Sequence, residues 1–385
     1  MDAYGLFFGL LRIAVCGATV TEEIAAACTP ENLQVVYALA IRHDLAHLVG
    51  QAISKLQLPE SQIVTQCKQS AMQAFGRYMQ LNFEYERTCQ ALEQAQIPFI
   101  PLKGSVIRND YPEPWMRTSC DMDILVKEEQ LETAVAALTE NLGYVFADRT
   151  DHDVLLKANG VYLELHYDTI QQRYETGNNR EVLSQMWEDA TPVKPGSYHY
   201  VLSDAMFYFY HIAHMVKHFK NGGCGVRAFL DLWILDRKQH DTVARQALLE
   251  EGELLKFAQG ARELAEYWFS GHMPSEMTRA VSDYILRAGV YGDKENRAAV
   301  GQAKMGGKLR YLLLRRVFMP YDYLKAEYPV LKKHKWLTPL YQVVRWMRML
   351  RQGRLRHTAA EWKANTRADK DSVASVADIL KYMDI

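Results

Sequence analysis

The chain has 385 residues, 49% hydrophobic and 24% charged, with a formal net charge of −1. That length suits two or three domains with a large core, and the balance of apolar and charged residues excludes a disordered chain. The six cysteines, at 16, 28, 67, 89, 120 and 224, form no CxxC pair and no zinc spacing, and they fit a reducing cytoplasm better than a secreted disulfide framework.

The near-neutral total hides an asymmetry. Residues 301–370 carry 17 Lys or Arg against 4 Asp or Glu, leaving 28 basic and 42 acidic residues elsewhere. Such a basic region can meet phosphates or another anionic partner, or pair with the acidic body of its own chain.

Residues 3–20 are strongly apolar, yet Asp2 precedes them, no basic segment leads them and Arg12 interrupts them. A core helix is expected there, with neither a signal peptide nor a transmembrane segment. Thr29, Pro30 and Glu31 open a further helix, in which His43 and His47, four apart, would share a face as structural histidines or a metal pair. Residues 62–95 lack proline and keep steady apolar spacing, which predicts one long helix. Pro98 ends it and "IPFIPLKG" begins a sheet. Residues 105–110 would form a short helix whose N-terminal N–H groups suit phosphate oxygens, with Gly104 allowing close approach.

"DMDILV" at 121–126 reads as a buried strand. Asp121 and Asp123 then point to one side, because side chains alternate along a strand. Like charges held so close favour a divalent cation, and Mg²⁺ or Mn²⁺ takes oxygen ligands of this kind. Lys103 and Arg117 flank the pair and are candidates for triphosphate contacts, with surface ion pairs as the alternative. A helix over 128–141 ends before Gly143. Three short strands follow, with Asn159-Gly160 as a hairpin turn. In "VYLELHYD", Glu164, His166 and Asp168 share a face. Glu164 lies mid-strand and supplies a third carboxylate if the strands are neighbours, whereas Asp168 suits a turn and His166 a hydrogen-bonded or proton-shuttling role.

Helices return after Ser203. His211, His214 and His218 recur along one helix, either as a packed polar surface or lining a cleft opposite the acids, and Arg227 stands four residues before Asp231, a spacing that suits a pair. "RYLLLRRVFMP" and "PLYQVVRWMRMLRQGRLR" are basic amphipathic stretches, expected to pack their apolar stripes inward.

Gly104-Ser105 after a short apolar strand, the Asp121-Met122-Asp123-Ile124 run and the acidic strand at Glu164 resemble the nucleotidyltransferase fold of the DNA polymerase beta superfamily. More narrowly, "PLKG", "R-x-x-x-DMDILV" and "LELH" between helical flanks resemble an uncharacterised bacterial nucleotidyltransferase family. The chain departs from the superfamily pattern in the insert 106–120, which lengthens the path from Ser105 to Asp121.

The resemblance implies an α+β chain with a small mixed β-sheet core, residues 97–195, between an N-terminal helical region, 1–96, and a C-terminal one, 196–385. It implies metal-dependent transfer from a nucleoside triphosphate such as ATP. Asp121, Asp123 and Glu164 would be catalytic and metal-binding, Lys103, Gly104, Ser105 and Arg117 nucleotide-binding, and His166, His214, His218 and Arg227 possible cleft residues. The acceptor, whether small molecule, protein or RNA, stays open. A catalytically silent binding module and a nucleic-acid-binding protein using the basic region are the alternatives.

Overall fold

The computed structural model describes residues 1–169, 177–289, 294–308, 311, 318–351 and 370–385. The chain divides into two compact units. The first comprises Met1–Ile170, Gly177–Ala213 and Val226–Pro274, and the second is built on His214–Gly225 and Ser275–Ile385.

The first unit opens with α1 (Ala3–Val15), whose apolar residues are buried as a core helix requires. Arg12, the charge that interrupts it, donates to the carbonyls of Trp268 and Tyr267. Next come α2 (Glu22–Ala27), α3 (Pro30–Arg42) and α4 (Ala46–Ser54). The Thr29 hydroxyl caps α3, and Pro30 occupies its first turn. Asp44, at φ 56°, breaks the chain between α3 and α4. His43 and His47 therefore sit on different elements and do not share a helix face.

The long helix expected over 62–95 is α5 (Gln62–Gln94), capped by Ser61. It packs against α4 at Gly50, where a Cβ would lie 2.0 Å from the Cys67 carbonyl oxygen.

The sheet contains β1 (Phe99–Pro101), β2 (Asp121–Val126), β3 (Val145–Arg149), β4 (Asp153–Ala158) and β5 (Val161–His166), in the order β1-β2-β5-β4-β3. Only β2 and β5 run parallel, and the other neighbours are antiparallel. Asn159 and Gly160 both take positive φ in the turn joining β4 to β5, as a two-residue hairpin loop demands. After β1 comes the short α6 (Gly104–Ile107), and between β2 and β3 lies α7 (Leu131–Leu142), ended by Gly143 at φ 72°.

Met122, Ile124, Val126, Leu163 and Leu165 point to one face of the sheet, where Leu81 and Leu92 of α5 and Leu131 and Leu138 of α7 complete a core. Helices thus cover one face, and alternation sends the acids of β2 and β5 to the other. Helices α8 (Asn179–Ser184) and α9 (Met186–Asp189) lead to the two-stranded ribbon of β6 (Thr191–Pro192) and β7 (Tyr200–Val201). They are followed by α10 (Asp204–Lys220), α11 (Val226–Leu235), α12 (Thr242–Glu251) and α13 (Leu255–Ser270). Ser203 caps α10, its hydroxyl accepting from the Met206 N–H.

Helical elements of the second unit include α14 (Glu276–Ala288), α15 (Lys294–Met305), Thr338–Arg351 and Lys370–Met383. Most of "RYLLLRRVFMP" and the end of the basic stretch beyond Arg351 lie outside the described residues. Among the described residues no helix is long and apolar enough to cross a membrane.

The α4–α5 contact leaves no room for a methyl group at Gly50, and the blocking atom is backbone. Gly50→Ala should destabilise the protein by about 1–3 kcal/mol, read as a lower midpoint in urea unfolding; an unchanged midpoint would contradict the close contact.

Candidate active site

The parallel pairing of β2 with β5 sets Asp121 beside Tyr162, Asp123 beside Glu164 and Leu125 beside His166. Paired residues project to the same face, so Asp123, Glu164 and His166 converge. Their donor atoms all lie within 4.8 Å of one another. His166 Nε2 is 2.8 Å from Asp123 Oδ1 and 3.4 Å from Glu164 Oε2. Lys103 reaches in from the end of β1, its Nζ 2.6 Å from Asp123 Oδ1 and 3.7 Å from Glu164 Oε2. The Leu102 N–H donates to the Asp123 carbonyl at 2.9 Å, which fixes Lys103 beside the strand that carries the acids.

Burial disfavours charge on Asp123, yet Lys103 and His166 outweigh it and hold its carboxyl well below the usual range. Burial would likewise lower Lys103, but Asp123, Tyr210 and Glu164 keep its ammonium well above the ordinary value. Burial also opposes charge on His166, and its hydrogen bonds to Asp123 and Glu164 carry it upward instead. Asp121 differs. Burial, then Asp123 and Glu164, push its carboxyl up to about 6, against the smaller opposing pull of Lys103 and Arg227. Asp123 and Glu164 offer carboxylate oxygens that suit a hard divalent ion, and His166 adds a nitrogen; Asp121, two residues before Asp123 on the same strand, is not among the groups whose donor atoms converge.

Gly104 and Ser105 follow Lys103 directly, and both are buried. A Cβ at Gly104 would lie 2.1 Å from Ser119 Oγ, so a larger residue there would make that hydroxyl turn aside, which shows how closely the turn meets the segment that precedes β2. The Ser105 N–H donates to the Leu102 carbonyl and its hydroxyl receives Arg108.

The insert 106–120 is tied down at several points. Arg117 is not a surface residue: it makes a two-pronged contact with buried Asp231 on α11, with Nε 2.8 Å from Oδ1 and Nη2 2.8 Å from Oδ2. The Tyr111 hydroxyl donates to the same carboxylate at 2.7 Å. Asp231 therefore pairs with Arg117 and not with Arg227, as their spacing on α11 had suggested. Arg227 is bound to Asp44 and the Thr118 carbonyl. His47 contacts the Met116 carbonyl at 2.7 Å, and burial pushes its imidazole down to about 4, so the ring is neutral and donates from Nε2.

The remaining histidines part company. His211 is 3.0 Å from the Ala228 carbonyl. His214 and His218 lie in the second unit, their Nε2 atoms 3.2 Å apart. On α10, burial raises the Tyr210 phenol above its ordinary value against the pull of Lys103, and Asp123 and Glu164 add to the rise. Asp168 pairs with Arg180 at 2.6 Å. His152 and Asp153, which the sequence did not single out, form a second buried group with His166, again within 4.8 Å.

Two neighbouring parallel strands that bring acids and a histidine together, on a small mixed sheet flanked by helices, define an α+β protein with a buried group able to hold a metal ion. The chain belongs to the family described as uncharacterised nucleotidyltransferase, whose model matches residues 29–270. No curated protein and no solved structure matches it.

Two outcomes follow from these contacts. Arg117→Ala strands the buried Asp231 carboxylate and should cost about 3–5 kcal/mol at pH 7; a loss under 1 kcal/mol in chemical denaturation would show that the pair is not buried as described. Asp121 has the opposite sign. Its raised value means that the fold holds this proton more tightly than the unfolded chain does, so the stability it lends is present in acid and is lost as pH rises through about 6. With EDTA present, Asp121→Asn should therefore raise stability at pH 8 by up to about 3 kcal/mol and by much less at pH 4.5. A destabilised variant at pH 8 would refute the assignment.

Proposed function

We propose that the protein transfers a nucleoside monophosphate from a nucleoside triphosphate to an acceptor hydroxyl, using Mg²⁺ or Mn²⁺ and releasing pyrophosphate. The observation that carries this reading is the convergence of Asp123 and Glu164 from adjacent parallel strands, with Asp121 two residues along and the Lys103 ammonium in contact with both converging acids. Acids this close, on the sheet face opposite the core beneath α5 and α7, are costly to hold without a cation.

Asp121 and Asp123 would hold the ion, and Glu164 would complete the donor set. Once bound, the metal supplies Lewis-acid polarisation of the phosphoryl oxygens and charge neutralisation at the leaving group. The acceptor oxygen forms its bond to the α-phosphorus while the bond between that phosphorus and the oxygen bridging to the β-phosphate breaks. The acceptor's proton passes to the partly exposed Glu164 carboxylate, and the bond's electron pair leaves with pyrophosphate. Lys103 faces the negative charge that grows there, beside the Gly104-Ser105 turn. His166 orients Asp123 through the 2.8 Å contact.

Arg117 and Arg227 act as struts: each is committed to a carboxylate of the fold, and between them they hold the insert in place. That support favours an active site over a silent module, because Ser119, near the end of the insert, packs on Gly104 and keeps the turn close to the start of β2.

The test is incubation of the full chain with each labelled triphosphate, Mg²⁺ or Mn²⁺ and a cell extract, scoring pyrophosphate release and labelled acceptor. Asp123→Asn and Asp121→Asn should each lower transfer by about a thousandfold or more, the scale of several kcal/mol of lost charge stabilisation, without loss of secondary structure by circular dichroism. Undiminished transfer in both variants would overturn the proposal.

A further inference from the structure

Lys103 holds a backbone conformation that its residue type disfavours, at φ 47° and ψ −124°. The Ser105 N–H closes onto the Leu102 carbonyl at 3.2 Å. Lys103 is thus the first central residue of a tight turn, a seat where positive φ favours glycine, asparagine or aspartate. A glycine stands one residue later, at 104, close against the Ser119 hydroxyl. The long cationic side chain has been kept in the strained seat, and strain of this kind collects where a side chain must be aimed.

Its ammonium is aimed between two acids. Nζ lies 2.6 Å from Asp123 Oδ1 and 3.7 Å from Glu164 Oε2. Asp123 Oδ1 also meets His166 Nε2 at 2.8 Å, so that oxygen is fully engaged. A divalent ion shared by Asp123 and Glu164 would draw on the same two carboxylates that hold the ammonium, and at such separations the ammonium and the ion repel.

We infer that Lys103 is a stand-in cation: it neutralises Asp123 and Glu164 in the metal-free enzyme, is expelled when the divalent ion enters, and then takes the triphosphate as its new anionic partner. The inference rests on the metal-dependent reading above and adds the order of assembly. Metal entering alone must break the Lys103 contacts with nothing to replace them, so it binds weakly. With a triphosphate present the displaced ammonium regains a counter-charge, so metal and nucleotide strengthen each other beyond simple chelation, and reciprocally. The protein thereby avoids a fully formed metal centre while no nucleotide is bound.

The test is titration of the full chain with Mn²⁺, following free Mn²⁺ by electron paramagnetic resonance, first without nucleotide and then with a non-hydrolysable α,β-methylene triphosphate. Lys103→Met, and Lys103→Gly as a second variant that suits the turn, should bind Mn²⁺ about tenfold or more tightly than the wild type without nucleotide. The tightening by the analogue should be smaller in both variants than in the wild type. Mn²⁺ binding to the nucleotide-free variants that is equal to or weaker than wild type overturns the inference while leaving the metal-dependent reading standing, provided the wild type binds Mn²⁺ with the analogue present. Absence of Mn²⁺ binding in every protein, with and without the analogue, sinks that reading itself and the inference with it.

Discussion

The parallel contact between β2 and β5 is the constraint from which the site follows. It sets Asp123 level with Glu164, and because Met122, Ile124, Val126, Leu163 and Leu165 go into the core beneath α5 and α7, alternation sends the acids to the opposite face. A slip of one residue would bury the carboxylates and expose Met122, Ile124 and Leu163, so the core and the site enforce each other's register. The electrostatic cost of the arrangement is offset locally, by the Lys103 ammonium and the His166 imidazole on a single oxygen of Asp123. Asp121 gains less from these partners, and its raised carboxyl shows how much of the repulsion remains.

Features governed by near neighbours in sequence were legible before any coordinates. The Asp-x-Asp alternation, the acidic strand at Glu164, the Asn159-Gly160 hairpin, the Thr29 and Ser203 caps and the long α5 all depend on local periodicity or turn chemistry. The small mixed sheet between helical flanks followed from them. The contacts of Lys103 were half legible: its place beside the acids could be anticipated, but not its strained backbone, which reflects a turn closed by Ser105 and a strand contact made by Leu102.

Other features were not legible, because their partners lie far off in the chain. Arg227 and Asp231 look like a helical pair by spacing, yet each is claimed by a residue more than a hundred positions away, Asp44 and Arg117 respectively. A bidentate guanidinium contact in a buried setting outweighs the few tenths of a kcal/mol, about 0.2–0.5, that an exposed neighbour on the same helix provides. His43 and His47 were read as one face because nothing in their spacing revealed the positive φ at Asp44. Nothing in the sequence set Tyr210 apart, and only the folded arrangement buries its phenol where Lys103, Asp123 and Glu164 act on it.

The clamp between Arg117 and Asp231 has a consequence for how the chain can be dissected. Although the sheet ends before residue 195, the segment feeding β2 is fastened to a helix that begins at Val226. A fragment trimmed to the sheet and its covering helices would retain the guanidinium and discard its carboxylate, so the segment that leads into the acid-bearing strand would lose its anchor. The minimal autonomous piece of this protein is therefore larger than its sheet: the later helix is as much a part of the site's foundation as the strands themselves.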